Sequence, residues 1–217
     1  MFENDDFIVV SKPSGINFHD EENIGQGFFN RYKAIYHELY PVHRLDKMTS
    51  GILVMARTAD AARQLSHQFA NQQVSKIYIA LALGKPKKKQ GWVKGDMVKS
   101  RRGTYKLLRS HENPAITQFE SYSLAPGLRL YKLMPKTGKT HQLRVAMNSL
   151  GTAILGDPSY HAGHVDNAAA DRGYLHALQI SFEFAKEHFQ FTDATLKDDG
   201  KLFADYQDEI THLISKS

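Results

Sequence analysis

The spacing of apolar positions changes several times along the chain, and each change marks an element. Phe7-Ile8-Val9-Val10 predicts a short buried strand, ended by a turn at Lys12-Pro13-Ser14-Gly15. From Phe28 the apolar residues recur three and four positions apart, at Phe28, Phe29, Tyr32, Ile35, Tyr36 and Leu39. That spacing predicts an amphipathic helix, ended by Pro41 because the residue before a proline avoids helical geometry. Ile52-Leu53-Val54-Met55-Ala56 reads as a buried strand. Residues 58–72 read as a helix, with Thr58 as N-cap and Ala61, Leu65 and Phe69 along one face.

Residues 76–83 predict a strand closed by Gly84 and Pro86. Residues 115–122 and 128–134 predict two strands joined by Ala125-Pro126-Gly127. A helix is expected over 140–150, with Leu143, Met147 and Leu150 on one face and Gly151 just past its end. Ala153-Ile154-Leu155 is a short apolar piece, and 161–173 is small and polar, hence a loop. Residues 174–184 and 188–192 predict a closing strand pair, and 202–214 a C-terminal helix. Many strands with few helices, and no internal repeat or clear linker, indicate one α+β domain over 1–217 around a largely antiparallel sheet.

Composition narrows the class. Hydrophobic residues at 41% and charged residues at 24% suit a globular chain rather than a disordered one. The absence of cysteine excludes disulfides, thiolate metal sites and thiol catalysis. No signal-peptide pattern opens the chain and no apolar run approaches the roughly 20 residues that span a bilayer, so a soluble cytoplasmic protein is expected.

Charge is uneven. Between Lys85 and Lys106 nine basic residues (Lys85, Lys87, Lys88, Lys89, Lys94, Lys99, Arg101, Arg102, Lys106) stand against one acid, Asp96, for a net +8. The rest of the +5 chain therefore carries −3. With Trp92 and Tyr105 interleaved, the segment, read as a hairpin or long loop, suits a polyanion such as RNA; its bland reading is a solvated lysine-rich loop.

Two stretches carry candidate chemistry. His43-Arg44-Leu45-Asp46 sets an acid beside a predicted buried strand, where a carboxylate is costly unless paired or used. The bland reading makes Asp46 a turn cap and Arg44 a solvated side chain. The second stretch, Lys136 to Val145, sets donors at a helix start, which attracts phosphate and carboxylate. Thr140 and Arg144, four apart, are expected on a similar face. Arg144, flanked by Leu143 and close to Met147, is either an exposed helix arginine or a guanidinium drawn inward that needs an acid, with Asp46 the best candidate. Gly138-Lys139-Thr140 is not a P-loop, because Leu133 stands where that motif needs glycine. A Gly-x-Ser-x-Gly elbow is absent. His161, His164 and Asp166 form a loose set of possible metal ligands.

His43-Arg44-Leu45-Asp46 with Thr49-Ser50-Gly51 resembles the signature of the RluA family of RNA pseudouridine synthases. Further stretches agree in order. Asp6 to Gly15 resembles the family's opening strand and Lys-Pro-x-Gly turn. Lys76-x-Tyr78-x-Ala80 resembles its tyrosine motif. Thr137-Gly138-x-Thr140-His141-Gln142-Leu143-Arg144-Val145, with Leu150-Gly151 and Ile154-Leu155-Gly156-Asp157, resembles its third motif. Leu175-His176-Ala177 with Phe182 fits the closing strand. The resemblance runs from about residue 5 to 185 and covers the catalytic domain, without the extra N-terminal RNA-binding domain of many relatives. Lys139, Ala146 and Thr152-Ala153 stand where family members usually have Arg, His and His-Pro, departures that bear on RNA contacts and target rather than on the chemistry.

The resemblance implies a pseudouridine synthase fold with a central active-site cleft, and isomerisation of specific uridines in ribosomal or transfer RNA. That reaction breaks the bond from uracil N1 to ribose C1′ and rejoins the ribose at C5, with no metal and no organic cofactor. Asp46 is implied as the catalytic carboxylate. It can attack C1′, act by elimination through a glycal, or stabilise positive charge at C1′. Arg144 is implied as its partner, and Tyr78 as the group that stacks on the flipped uracil and assists removal of the C5 proton. Arg44 reaches into the space the base vacates. His43, Thr140 and His141 are further substrate-binding positions, and Leu143 and Val145 pack the floor. Lys87, Lys88, Lys89, Arg101 and Arg102 grip the RNA backbone. A monomer is expected. The alternatives are a non-catalytic RNA-binding protein on the same fold, and a metal-dependent hydrolase using His161, His164 and Asp166.

Overall fold

A computed structural model of the chain describes residues 1–20, 25–160, 170–196 and 199–215. The chain divides into two compact units, one of Met1–Lys76 with Ala177–Asp193 and one of Ile77–His176 with Ala194–Ser217.

Period-two alternation builds the first unit. Strands β1 (Phe2–Glu3), β2 (Phe7–Lys12) and β4 (Ser50–Ala56) lie side by side, β2 antiparallel to β4 with Phe7 opposite Ala56 and Lys12 opposite Gly51. The short β3 (Tyr40–Pro41) also pairs with β4. Strand β11 (Leu175–Phe184) follows β4 in the sheet and is antiparallel to β12 (Glu187–Thr192). Phe7 and Val9, then Ile52, Val54 and Ala56, then Ile180, Phe182 and Phe184 point to one face. Helix α2 (Ala59–Ala70) covers that face with Ala61 and Leu65, and Thr58 caps it by accepting the Ala61 N–H at 3.1 Å. Every residue of β4 is buried.

The stretch after Gly27 is less helical than its spacing predicts. Helix α1 covers only Phe28–Lys33. Ile35 is 75% exposed, so the apolar spacing there does not describe one buried face. Pro41 does not end that helix but lies in β3, pairing with Met55.

In the second unit β5 (Ser75–Leu83, in this unit from Ile77), β10 (Leu128–Pro135), β9 (Ala115–Ala125) and β6 (Gln90–Gly95) stand in that order. Each neighbouring pair is antiparallel. The segment read as a hairpin or long loop is divided: β6 completes the sheet edge, while β7 (Met97–Lys99) and β8 (Tyr105–Leu107) form a separate hairpin. Its tip is a 3-10 turn, Arg101–Gly103.

Helix α3 covers Gln142–Ser149 and ends at Gly151, whose φ of +75° fits the expected C-terminal position. It starts two residues later than its pattern predicts. His141 takes a left-handed conformation (φ 58°), so Thr140 lies outside the helix and shares no helical face with Arg144. The C-terminal helix is two helices, α4 (Lys201–Asp205) and α5 (Gln207–Ser215), separated at Tyr206, whose φ of −114° leaves the helical range. Arg172 anchors this end of the chain. Its guanidinium lies over the rings of Tyr174 and Phe203 at 5.8 and 5.5 Å and pairs with Asp199. His176 Nδ1 lies 2.9 Å from the same carboxylate. The α+β class read from the sequence is the one observed.

Candidate active site

The Asp46 loop is held from two directions within the first unit. His43 stacks on Phe69, with ring centroids 4.5 Å apart, and its Nε2 accepts the Val54 N–H at 2.9 Å. Its proton is therefore at Nδ1. Burial of this ring, helped by the nearby Lys76 charge, pushes its pKa down to about 3, so the imidazole is neutral. Burial also lowers the pKa of Lys76.

The Lys12–Gly15 turn grips the other side. Lys12, fully buried, donates from Nζ to the carbonyls of Pro13 at 2.9 Å and Ile16 at 2.8 Å, with that of Lys47 at 3.4 Å. The Gly15 N–H donates to the Lys47 carbonyl at 2.8 Å, and Ser14 Oγ to that of Met48 at 2.8 Å. The Asp46 carbonyl accepts the Thr49 N–H at 3.0 Å. Leu45, Met48, Thr49 and Ser50 are buried around this turn, while Asp46 is half-buried and Arg44 exposed. The next residue, Gly51, has φ +102°, and a Cβ there would stand 2.3 Å from the Ala177 carbonyl oxygen. Glycine is required for β4 to approach β11 this closely.

In the second unit Tyr78 lies on β5 opposite Leu133 and is half-buried. Gln142 fastens the start of α3. Its Oε1 accepts the Lys139 N–H at 3.0 Å and the Thr137 hydroxyl at 2.7 Å, and its Nε2 donates to the Ile116 carbonyl and to Thr117 Oγ1, both at 3.1 Å. Leu143, Arg144 and Val145 are buried, and Thr140 is exposed.

Arg144 is thus the inward guanidinium of the two sequence readings. Its Nε–H donates to Asp157 Oδ2 at 2.7 Å and its Nη2–H to Oδ1 at 2.9 Å. Asp157 has no solvent exposure. Asp46, the acid that sequence reasoning assigned to Arg144, belongs to the other unit; Asp157 was not singled out as a partner. The signal available was its place in Gly156-Asp157, on the piece of chain that returns after α3. Gly156 (φ +75°) makes that return possible, since a Cβ there would overlap the Arg172 carbonyl at 1.7 Å.

Asp157 Oδ1 also accepts the N–H groups of Ser159 at 2.8 Å and Tyr160 at 3.1 Å. The Tyr160 ring faces Arg144, with Cζ 5.1 Å from its centroid. The Tyr160 hydroxyl accepts the Tyr105 N–H at 2.7 Å and lies 3.2 Å from His141 Nδ1. The unit thereby brings Tyr105, His141, Arg144, Asp157 and Tyr160 together. Sequence reasoning gave Tyr160 no role.

Lys87, Lys88, Lys89, Arg101 and Arg102 are all exposed, the lysines just before β6 and the arginines at the hairpin tip. Trp92 on β6 is 49% exposed, with Lys94 Nζ 5.0 Å from its ring centroid. His161, His164 and Asp166 lie outside the described residues. Among the described residues, no helix is long and apolar enough to cross a membrane.

A family model described as RNA pseudouridylate synthase matches residues 6–149. The chain is 45% identical over 193 residues to an uncharacterised RNA pseudouridine synthase of Haemophilus influenzae, covering 88% of this chain and 85% of the relative. It is 31% identical to a dual-specificity RNA pseudouridine synthase RluA of Vibrio vulnificus, covering 87% and 79%. To a ribosomal large subunit pseudouridine synthase C of the same species it is 32% identical, covering 84% of this chain and 60% of the relative. Among solved structures it matches human RNA pseudouridylate synthase domain containing 4, with a TM-score of 0.73 and 25% identity over 96% of this chain and 90% of that one.

Proposed function

The chain belongs to the RNA pseudouridylate synthase family, and we propose that it isomerises specific uridines in ribosomal or transfer RNA with Asp46 as the catalytic carboxylate. A relative named for the ribosomal large subunit supports ribosomal RNA as a target, and one named for dual specificity supports more than a single kind of target. The alternative of a non-catalytic RNA-binding protein is not favoured.

The observation that carries the assignment of Asp46 is its seat. A half-buried acid stands in a loop whose neighbours Leu45, Met48 and Thr49 are buried. The carbonyls of Lys47 and Met48 are clamped by the Lys12–Gly15 turn. A carboxylate so fixed loses little freedom when a nucleotide arrives, which is the positional advantage a reacting group needs. The uracil leaves C1′ with the N1 bond's electron pair, turns, and is rejoined through C5. The C5 proton goes to solvent or a base, and N1 gains a proton. Asp46 supplies negative charge at C1′ as the first bond breaks.

Tyr78 serves the same reaction with a flat face for the uracil and a hydroxyl to assist loss of the C5 proton. Arg144 acts as a fixed cation, its orientation set by Asp157. Arg44, exposed beside Asp46, fills the stack as the target base leaves it, a step that costs a few kcal/mol. His43 acts by holding the loop. Thr140 and His141, at the entry to α3, contact the RNA, and Leu143 and Val145 pack beneath the base. Lys87, Lys88, Lys89, Arg101 and Arg102 hold the backbone. The enzyme acts as a monomer in the cytoplasm.

Tritium release from RNA labelled at uridine C5 tests the activity, with separate unmodified ribosomal and transfer RNA pools. Release from one or both pools is expected. No release from either, with the RNA bound, would leave the non-catalytic alternative.

A further inference from the structure

Tyr160 joins two parts of the second unit that have different tasks. The β7–β8 hairpin carries Lys99, Arg101, Arg102 and Lys106, and β8 lies against α3. The first residue of β8, Tyr105, gives its N–H to the Tyr160 hydroxyl at 2.7 Å rather than to a strand. That hydroxyl also meets His141 Nδ1 at 3.2 Å, at the left-handed residue that starts α3. The oxygen thus accepts from Tyr105 while one proton, from the hydroxyl or from Nδ1, is shared with His141. The rings of Tyr105 and Tyr160 meet the His141 ring edge-on, at 5.6 and 5.8 Å. The Tyr160 face lies against the Arg144 guanidinium, and its N–H shares Asp157 Oδ1 with that guanidinium.

We propose that Tyr160 is a positioning residue that holds the basic hairpin in register with Arg144, so that RNA gripped at the hairpin is presented correctly to that guanidinium. This rests on the reading of Arg101 and Arg102 as RNA contacts and of Arg144 as a catalytic group. The hydroxyl serves the hairpin and the ring serves the guanidinium, so the two roles are separable by substitution.

Kinetics of tritium release, in whichever RNA pool the wild type turns over, test this. Tyr160→Phe keeps the ring and leaves the Tyr105 N–H without its acceptor. It is expected to raise KM about three- to tenfold, the combined effect of the lost Tyr105 hydrogen bond and the longer contact to His141, with kcat falling by much less. Tyr160→Leu also removes the ring from Arg144 and is expected to lower kcat by about tenfold as well. Arg101→Ala with Arg102→Ala is expected to raise KM in the wild-type background, and to raise it clearly less in the Tyr160→Phe background. An unchanged KM in Tyr160→Phe, or effects that simply multiply, overturns the coupling while leaving the RNA contacts intact. A wild-type KM in the double arginine variant overturns the hairpin reading and the coupling with it. Absence of turnover by the wild type in both pools is the failure of the function itself, visible before any variant is compared. A Tyr160→Phe chain that no longer folds in a circular dichroism melt also overturns the proposal, because a structural role then suffices.

Discussion

Arg144 and Asp157 face each other through two parallel hydrogen bonds of 2.7 and 2.9 Å, both side chains being buried. An arginine fork on a carboxylate fixes the guanidinium plane as well as its charge. The pair therefore sets the orientation of a cation that the protein keeps out of water.

Asp157→Asn leaves that cation buried beside a neutral amide. Stability is expected to fall by about 3–5 kcal/mol in urea unfolding, since removing one charge of a buried, hydrogen-bonded ion pair is strongly destabilising. Arg144→Lys keeps the charge and loses the fork, and is expected to lower single-turnover tritium release by at least about tenfold. A lysine variant as fast as the wild type would show that charge alone suffices.

His43 makes stability depend on pH in a defined direction. Its pKa is about 3 in the folded chain, against roughly 6.5 when unfolded. Above about pH 6.5 both states are neutral and the group costs nothing. As pH falls from 6.5 toward 3 the unfolded chain takes up a proton that the folded chain refuses, so stability is lost over that window. His43→Asn is expected to reduce the slope of unfolding free energy between pH 6 and pH 4 by about 1.4 kcal/mol per pH unit. An unchanged slope would mean that His43 charges in place.

The lysines before β6 make a separable prediction. Changing Lys87, Lys88 and Lys89 together to glutamine is expected to weaken RNA binding and to flatten its log–log salt dependence by about 2 to 3. A filter-binding series in potassium chloride measures this. The wild-type slope in the triple variant would return the run to a solvated loop.

The sequence was most legible where local pattern and tertiary role coincide. Helix α2 has its cap and its buried stripe where Thr58, Ala61 and Leu65 predict them. The β9–β10 hairpin follows from Ala125-Pro126-Gly127 between two apolar runs. Reading failed where packing decided instead. Spacing from Phe28 to Leu39 looks helical, yet Ile35 faces solvent and the helix stops at Lys33. The start of α3 is set by the left-handed His141 and the hydrogen bonds of the Gln142 side chain, neither visible in a periodic pattern. Arg144 was recognisable as a guanidinium needing an acid, but the carboxylate that grips it in its own unit is carried there by the tight return at Gly156. The Asp46 stretch stood out as a motif. Its clamp through Lys12 and Ser14 did not, because those contacts join residues more than thirty positions apart.

In the proposed mechanism the carboxylate of Asp46 does chemistry rather than hold the loop. Asp46→Asn keeps the side chain's size and removes its charge. Tritium release by this variant, measured in single turnover beside its RNA affinity and its unfolding curve, separates the two roles. With Asp46 as the reacting carboxylate, release becomes undetectable while affinity stays within about threefold and the unfolding midpoint barely moves. Release at the wild-type rate from a folded Asp46→Asn enzyme would contradict that role.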